Sequence, residues 1–294
     1  MKLVTFKYQG KETVGVLDLK GEKVYTLETF GLTYKSMNEW IREGKDEEWE
    51  IVRSGLSQGL QGGIWLHDVE LLAPIPRPRQ DIICLGINYL AHAEESARYK
   101  KEAFGGERPF AVYFSKRVRE AVKDGGFIPS YEGLVDSLDY EVELAVILGK
   151  DAQGVSKEEA FNYVLGYTIL NDVSARNLQT QHKQWYFGKS LEGFCPMGPW
   201  IVTKEDLPIP PKLPISSRVN GELRQNATTD LLIFDIAHVI SELSQGMLLE
   251  AGTIIAMGTP AGVGMGFDPP KFLKAGDIIE CEIQGIGKLT NQVR

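Results

Sequence analysis

Cysteine is scarce in this sequence of 294 residues, with only Cys84, Cys195 and Cys281 present. Because they lie far apart, are odd in number and form no CxxC pair, they predict neither a disulfide framework nor a zinc site built from cysteines. No apolar run approaches the roughly 18 to 20 residues that a membrane-spanning helix needs. The first residues, MKLVTFKYQGKETVGV, become polar too early for a signal peptide. We therefore expect a cytoplasmic protein with reduced thiols and no membrane partner.

Concentrated positive charge is also missing. The formal net charge is −8, and the lysines and arginines are spread along the chain. Proteins that bind nucleic acid or anionic membranes usually carry a basic patch, so we expect neither partner. The negative charge also repels an anionic substrate. A site for such a substrate must therefore carry its own positive charge, from a metal ion, a lysine or an arginine.

The chain divides into two regions by pattern. Residues 2–28 alternate short β-like runs with turns, and residues 35–53 have a helical pattern. The stretch 54–63, SGLSQGLQGG, and a proline-rich segment after it have the composition of connectors. We predict a small N-terminal α+β domain over residues 1–70 and a larger domain over residues 71–294. The fold class is α+β, mainly β.

Several elements of the larger region are predicted by local pattern. Residues 82–87 predict a buried strand, and residues 92–103 a charged helix. Asn220 and Gly221 form a strong two-residue hairpin signal. Residues 235–246 have apolar side chains at helical spacing and end in glycine, which predicts an amphipathic helix.

The most informative segment is SLDYEVELAVILGK, residues 137–150. In a strand, alternate side chains share a face, so Glu141 and Glu143 lie on the same face as Ala145 and Ile147. Two acids at this spacing most often lie on a solvated face, but the apolar residues that continue this face indicate an interior one. Two buried carboxylates lose hydration and repel each other unless a cation neutralises them. We therefore predict a cation site at Glu141 and Glu143.

A third acid, Asp172, follows another β-like run, at a strand end where sites are commonly built. A site made of oxygen ligands suits Mg²⁺, Mn²⁺ or Ca²⁺ rather than zinc. The four histidines form no HxH or HxxxH pair that would offer an alternative set of ligands.

A series of segments in this order resembles the signatures of the fumarylacetoacetate hydrolase superfamily, from about residue 72 to 292. The segments are GINYLAHAEE, DYEVELAVILGK, GYTILNDVSARNLQ, FGKSLEGFCPMGPW, VNGELRQ, MGTPAGVG and IGKLTNQV. The resemblance implies a mixed β-sandwich roll as the core fold, a homodimer, and an Mg²⁺ or Mn²⁺ site at Glu141, Glu143 and Asp172. The N-terminal region resembles the small cap domain of the longer bacterial members.

The same resemblance implies catalytic residues. His92 and Glu95 resemble the family's His–Glu dyad, and their i, i+3 spacing on a helix lets the carboxylate orient the imidazole. Lys189 resembles a lysine that stabilises negative charge on an enolate or oxyanion. Taken alone, His92 and Glu95 would more often be a solvated ion pair, and Lys189 a surface lysine. The segment 92–106 would suit a mobile lid over the substrate.

The resemblance also implies four substrate-binding residues. Gln179 matches a residue that hydrogen-bonds near the reacting carbonyl, and Thr259 matches a threonine whose loop holds a substrate carboxylate. Lys116 matches a common family position, and Arg176 either contacts the substrate or braces the metal ligands. The animal hydrolases of this family use a fourth acidic ligand that this sequence does not place, so water or substrate is expected to complete the coordination.

The resemblance implies an enzyme for a small 2-oxo acid or dicarboxylate. Such an acid can chelate a metal through its C1 carboxylate and C2 carbonyl, which makes the bond β to the ketone breakable through a metal-bound enolate. We expect hydrolysis of an acylpyruvate or fumarylpyruvate, or decarboxylation of oxaloacetate. Isomerisation of 2-hydroxyhepta-2,4-diene-1,7-dioate and dehydration of keto-deoxy sugar acids occur in the same family and stay open as alternatives.

Two alternatives come from other classes. Residues 55–59, GLSQG, fit the GxSxG motif of serine hydrolases. That motif requires a strand, a sharp turn and a helix, and a glycine-rich connector is a poor version of this context. The other alternative is a catalytically silent protein that binds a metal without turning over a 2-oxo acid.

Overall fold

Runs of apolar and β-branched residues form strands through most of the chain. The structure is a computed structural model and describes residues 1–100 and 109–294. The strands before residue 80 are β1 (Lys2–Tyr8), β2 (Lys11–Leu17), β3 (Lys23–Thr26), β4 (Ile64–Trp65) and β5 (Glu70–Leu71). The later strands are β6 (Ile82–Gly86), β7 (Val112–Lys116), β8 (Phe127–Ile128), β9 (Leu138–Asp139), β10 (Val142–Leu148), β11 (Val164–Asn171), β12 (Ser174–Ala175), β13 (Met197–Thr203), β14 (Pro214–Val219), β15 (Glu222–Thr228), β16 (Ile254–Ala256), β17 (Ile278–Ile283) and β18 (Gly287–Val293). The helices are α1 (Met37–Glu43), α2 (Asp46–Gln58), α3 (Leu90–Lys100), α4 (Arg176–Gln181), α5 (Tyr186–Lys189) and α6 (Ile236–Ser244).

The strands form two large mixed sheets and one small one. In the largest sheet the order is β4-β3-β2-β1-β13-β11-β10-β16-β6-β7, and β5 pairs with β1. The second sheet has the order β15-β14-β17-β18-β8, and β12 pairs with β9. Most pairs are antiparallel, but β16–β6 and β18–β8 are parallel. The predicted fold class, mainly β with mixed sheets, is confirmed.

Strand β10 lies between two cores, which explains its nearly continuous apolar sequence. Leu144 and Val146 belong to the core that the largest sheet shares with the second sheet. Ala145 and Ile147 point the other way, into a core that α1 and α2 cover. The alternation predicted from the sequence is therefore confirmed, and both faces of this strand are interior.

The N-terminal region continues the largest sheet, because β1 pairs antiparallel with β13. On the opposite side from the second sheet, Trp40 is fully buried and stacks on Trp49 with ring centroids 4.0 Å apart. The helical region predicted at residues 35–53 is two helices. Ser36 caps α1 by accepting a hydrogen bond from the backbone N–H of Glu39, and Gly44 ends it. The domain boundary near residue 70 stays a prediction.

The predicted connector at residues 54–63 is wrong for its first part. Helix α2 extends to Gln58, because Val52 and Leu56 lie one turn apart and are both buried. Gly59 then ends the helix with a left-handed backbone conformation. Ser57 therefore lies in a helix, where its hydroxyl donates to the carbonyl of Ser54. The strand–turn–helix context that a nucleophilic serine requires is absent at this motif, which removes the serine hydrolase alternative.

Other local predictions are confirmed. Asn220 and Gly221 both have positive φ and connect β14 to β15. The backbone N–H of His238 donates to the side chain of Asp235, which caps α6. Helix α3 begins at Leu90, and the part of the predicted helix (92–103) and lid (92–106) that follows residue 100 lies outside the described residues. No helix in the described part of the chain is both long and apolar enough to cross a bilayer.

We expect Trp40→Ala to lower the free energy of unfolding by about 3–5 kcal/mol, because it removes a fully buried indole and its stack on Trp49. The matched control is Trp65→Ala, since Trp65 is 45% exposed and its ring contacts only the side chains of Lys23 and His67 among the ring contacts of the described residues. That change should cost less than about 1 kcal/mol. Urea denaturation measures both, and equal losses would mean that α1 does not pack on the sheet as described.

Candidate active site

Strand pairing brings the three predicted acids together. Glu141 directly precedes β10, Glu143 lies in β10, and Asp172 directly follows β11. Because β10 and β11 are antiparallel, with Val142 opposite Asn171, the start of one strand meets the end of the other. One carboxylate oxygen from each acid lies within 4.8 Å of the others, and all three residues are buried.

Three cations surround this carboxylate cluster, which consists of Glu141, Glu143 and Asp172. The ammonium of Lys189 lies 2.7 Å from both Glu141 Oε2 and Asp172 Oδ2. Lys116 donates to Asp172 Oδ1 at 2.7 Å, and Arg176 Nη2 lies 2.7 Å from Glu141 Oε1. Burial would raise the pKa of Glu141, but Lys189 and Arg176 outweigh it and lower the pKa to about 2. Likewise, Asp172 and Glu141 outweigh the burial of Lys189 and raise its pKa.

Glu143 is the member of the cluster that lacks such a partner. Among the residues that the structure describes, no lysine or arginine forms an ion pair with it, and Gly258 donates its backbone N–H to Glu143 Oε2 at 2.8 Å. Burial, followed by the charges of Asp172 and Glu141, raises the pKa of Glu143 well above its ordinary value. A divalent cation would relieve this repulsion, and oxygen ligands suit Mg²⁺ or Mn²⁺. The residues present therefore fit the metal that the sequence predicts, without identifying the ion.

A cavity of about 480 Å³ opens onto this cluster. It brings together most of the predicted site residues, and those that line it are His92, Glu141, Glu143, Arg176, Gln179, Lys189 and Thr259. A volume of this size suits a small molecule.

His92 and Glu95 form a pair on α3, as predicted. Both are only 5% exposed, and His92 Nδ1 lies 2.9 Å from Glu95 Oε2. Glu95 Oε1 also accepts the backbone N–H of Gly262 at 2.9 Å. The solvated ion pair that the two residues would form on an isolated helix is therefore not what the structure shows. The imidazole faces the cavity with a carboxylate fixed behind it.

Two of the predicted substrate-binding residues make contacts that support the cluster. Lys116 is fully buried and does not line the cavity, and it donates to Asp172 Oδ1, to the carbonyl of Val173 and to the carbonyl of Lys189. This lysine therefore holds Asp172 in place from behind. Arg176 lines the cavity while it pairs with Glu141, so it braces that carboxylate.

Gln179 and Thr259 lie at the cavity surface with part of their hydrogen-bonding capacity in use. Gln179 accepts a hydrogen bond from Arg176 Nη1 at 3.1 Å. The Thr259 hydroxyl donates to the carbonyl of Val142 and accepts from Gln225 Nε2. The sequence offered no reason to select Gln225, which is fully buried and fixes the loop that carries Thr259.

Asp139 is a further residue to which sequence reasoning gave no role. It is fully buried, and its carboxylate accepts from Arg176 Nε at 2.9 Å and from the backbone N–H groups of Gly264 and Met265 at 2.6 and 3.0 Å. Its position two residues before Glu141, on the same strand face, was the available signal. Through these bonds one buried acid holds both Arg176 and the loop beside α3.

An apolar wall forms another side of the cavity. Phe114 and Trp185 both line it, and their rings meet edge to face with centroids 5.2 Å apart. Gly86 is required here because a Cβ would lie 2.2 Å from the Trp185 ring. Lys183, at the rim, also lines the cavity. It has a φ of 59°, a left-handed conformation that costs a residue other than glycine about 1 kcal/mol.

The chain is similar to known enzymes along almost its whole length. The model of the fumarylacetoacetate (FAA) hydrolase C-terminal family matches residues 81–294. Oxaloacetate tautomerase YisK of Bacillus subtilis (strain 168) is 45% identical over 259 residues, which is 88% of this chain and 81% of that protein. The structure of a fumarylacetoacetate hydrolase (EaFAH) from psychrophilic Exiguobacterium antarcticum has a TM-score of 0.84 and 39% identity, covering 100% of this chain and 99% of that one. For maleylpyruvate hydrolase from Sphingobium.sp SYK-6 the values are 0.76 and 29%, with coverage of 100% and 99%.

We expect Mg²⁺ or Mn²⁺ to raise the Tm of the wild-type protein, and Glu143→Gln to abolish that rise. With chelator present, the variant should be at least as stable as wild type, because Gln cannot take the charge that burial and the two neighbouring carboxylates disfavour, and it can still accept the N–H of Gly258. The exposed Glu94 on α3 provides the control substitution Glu94→Gln, which should leave the metal response intact. Thermal denaturation with and without metal measures both effects. An undiminished metal response in Glu143→Gln would remove Glu143 from the site.

Proposed function

Because this chain belongs to the fumarylacetoacetate hydrolase family and is an enzyme of that family, we propose that it interconverts the keto and enol forms of a small 2-oxo dicarboxylate of the oxaloacetate class. The observation that carries the proposal is a single cavity in which the imidazole of His92, backed by Glu95, shares the lining with Glu141, Glu143 and Lys189. One group that can move a proton thus shares a cavity with groups that can stabilise the resulting anion.

Glu141, Glu143 and Asp172 are the residues that would hold Mg²⁺ or Mn²⁺. When bound there, the metal supplies Lewis acidity toward the C2 carbonyl, which makes the protons on C3 easier to remove. Lys116 and Arg176 keep Asp172 and Glu141 in place for this task.

His92 transfers the proton in this proposal. Its Nδ1 contacts Glu95, which leaves Nε2 as the nitrogen available to remove a proton from C3. Glu95 stabilises the imidazolium that forms. The electron pair of the C–H bond forms the C2–C3 double bond while the π pair of the carbonyl moves to the C2 oxygen, and transfer of a proton to that oxygen gives the enol. The reverse sequence restores the ketone, so no atom is gained or lost.

Lys189 stabilises the enolate between the two proton transfers. Its amine stays charged, because Asp172 and Glu141 raise its pKa despite its burial. A cation fixed in a buried site is worth more to a developing anion than one in water, because it needs no reorganisation.

Cleavage of a C–C bond is the second candidate, as the sequence predicted. Decarboxylation of oxaloacetate or hydrolysis of an acylpyruvate would pass through the same enolate, so Lys189 and the carboxylate cluster favour these reactions equally. Similarity to maleylpyruvate hydrolase supports hydrolysis, in which the dyad would activate water. Isomerisation and dehydration, the remaining family reactions, would give different products.

Proton exchange measured by NMR separates these reactions. We expect the enzyme with Mn²⁺ or Mg²⁺ to accelerate exchange of the C3 protons of oxaloacetate in D₂O and equilibration of its two forms, and chelation to stop both. His92→Ala should slow exchange at least about 100-fold, because it removes the base. His67→Ala is the control, since His67 is exposed and lies outside the cavity. Pyruvate as the main product, without faster exchange, would favour decarboxylation and overturn the tautomerase proposal.

We also propose that Lys183 binds the distal carboxylate of the substrate. It lines the cavity and forms no ion pair with any described acid. Its backbone conformation favours glycine, and a strained residue at a cavity indicates a functional role for its side chain. Lys183→Met should raise the KM for oxaloacetate about tenfold with little change in kcat. Exchange of 2-oxobutanoate, which lacks that carboxylate, should keep its KM.

The exposed Lys20, which does not line the cavity, gives the control Lys20→Met. Steady-state kinetics on both substrates measure the effect. Equal increases in KM for both substrates would show that Lys183 does not read the distal carboxylate.

A further inference from the structure

The glycine-rich segment GVGMG, residues 262–266, follows the loop of Thr259 and lies against α3. Its backbone is tied down, because the N–H groups of Gly264 and Met265 donate to the fully buried Asp139. The N–H of Gly262 points to α3 and donates to Glu95 Oε1 at 2.9 Å. The segment therefore forms a fixed seat for the carboxylate that backs His92.

Gly266 completes this seat by lacking a side chain. A Cβ placed on Gly266 would lie 1.8 Å from Glu95 Oε1, 2.0 Å from Cδ and 2.4 Å from Cγ. These three closest atoms all belong to Glu95. Gly266 does not have a positive φ, so its backbone conformation is open to alanine.

The neighbouring glycines are required for different reasons. Gly262 has a φ of 103°, and its Cβ would lie 1.9 Å from the carbonyl oxygen of Arg224. A Cβ on Gly264 would lie 2.6 Å from the carbonyl oxygen of Lys271. At residues 262 and 264 an added Cβ would clash with backbone atoms, whereas at residue 266 it would clash with one flexible side chain, that of Glu95. A methyl group at residue 266 can therefore be accommodated if the Glu95 carboxylate moves away.

We propose that Gly266 is a positioning residue for the His92–Glu95 pair: its missing side chain lets Glu95 bind the N–H of Gly262 and the ring of His92 at the same time. The inference rests on the proposed role of His92 in proton transfer. Since the loop is anchored on Asp139, added volume at residue 266 displaces Glu95 rather than the loop. The fold is retained, and the imidazole loses the group that orients it.

The test is a double-mutant cycle of Gly266→Ala and Glu95→Ala in the metal-loaded enzyme. Each single variant should lower kcat by a similar factor, about 10- to 100-fold, with KM nearly unchanged. The double variant should be no slower than Glu95→Ala, because alanine at residue 95 leaves room for the new methyl group. Gly246→Ala is the control, since a Cβ there meets nothing within 4 Å and Gly246 does not have a positive φ. It should leave kcat unchanged.

The same cycle in Tm separates this inference from the proposed function, because it needs no turnover. Gly266→Ala should lower Tm by roughly 2 to 4 °C in the wild-type background through loss of the buried bond to Glu95, and by much less in the Glu95→Ala background. If the Tm cycle shows this coupling and no 2-oxo dicarboxylate is turned over, the proposed function is wrong, but the inference that Gly266 positions Glu95 is supported. If Gly266→Ala has equal effects in both backgrounds, or leaves kcat and Tm at the wild-type values, the inference is overturned.

Discussion

Repulsion among three buried carboxylates is the constraint on which the rest of the site depends. Glu141, Glu143 and Asp172 converge where β10 begins and β11 ends, and all three residues are buried. Left alone, such a cluster would take up protons or open, since burial and like charge both disfavour the ionised forms. Cations from three separate elements neutralise part of this charge. They are Lys116 at the end of β7, Arg176 at the start of α4 and Lys189 at the end of α5. Glu143 is left without one on the cavity side, which is where an additional cation has most to stabilise.

Asp139 links this electrostatic arrangement to the His92–Glu95 pair. On one side it orients Arg176, which in turn faces Glu141. On the other side it anchors the loop whose N–H at Gly262 holds Glu95. A displacement of Arg176 would thus reach the helix that carries the imidazole through a short series of hydrogen bonds. Because Asp139 contacts both Arg176 and this loop, one hydrogen-bonded network positions the His92–Glu95 pair and the carboxylate cluster together rather than independently.

Whether the sequence predicts a feature of the fold or the site depends on how far apart in the chain the interacting residues lie. Side-chain alternation, a local property, was enough to identify Glu141 and Glu143 as an interior pair, and the hairpin at Asn220 and Gly221 was equally local. Asp172 joined the pair only through family resemblance, because its approach depends on the register of β10 against β11, which neither strand contains alone. For the same reason the sequence did not predict the role of Lys116, whose ammonium donates to Asp172, 56 positions further along the chain. The connector predicted at residues 54–63 was wrong over residues 54–58, because the burial of Val52 and Leu56 stabilises the helix more than serine and glycine weaken it.

The carboxylate cluster would serve each of the proposed reactions, and the aromatic wall of the cavity bears on the choice among them. Tautomerisation requires a base that returns the proton it removes, and it benefits when water is kept from the carbanion. Hydrolysis requires, in addition, a water molecule placed against an acyl carbon. Trp185 fills the space beside Gly86 and meets the edge of Phe114, so this side of the cavity is closed by aromatic surface. An aromatic wall in the cavity that His92 also lines supports the proposed proton transfer, and the positive charge of Lys183 in the same lining supports a substrate with a second carboxylate.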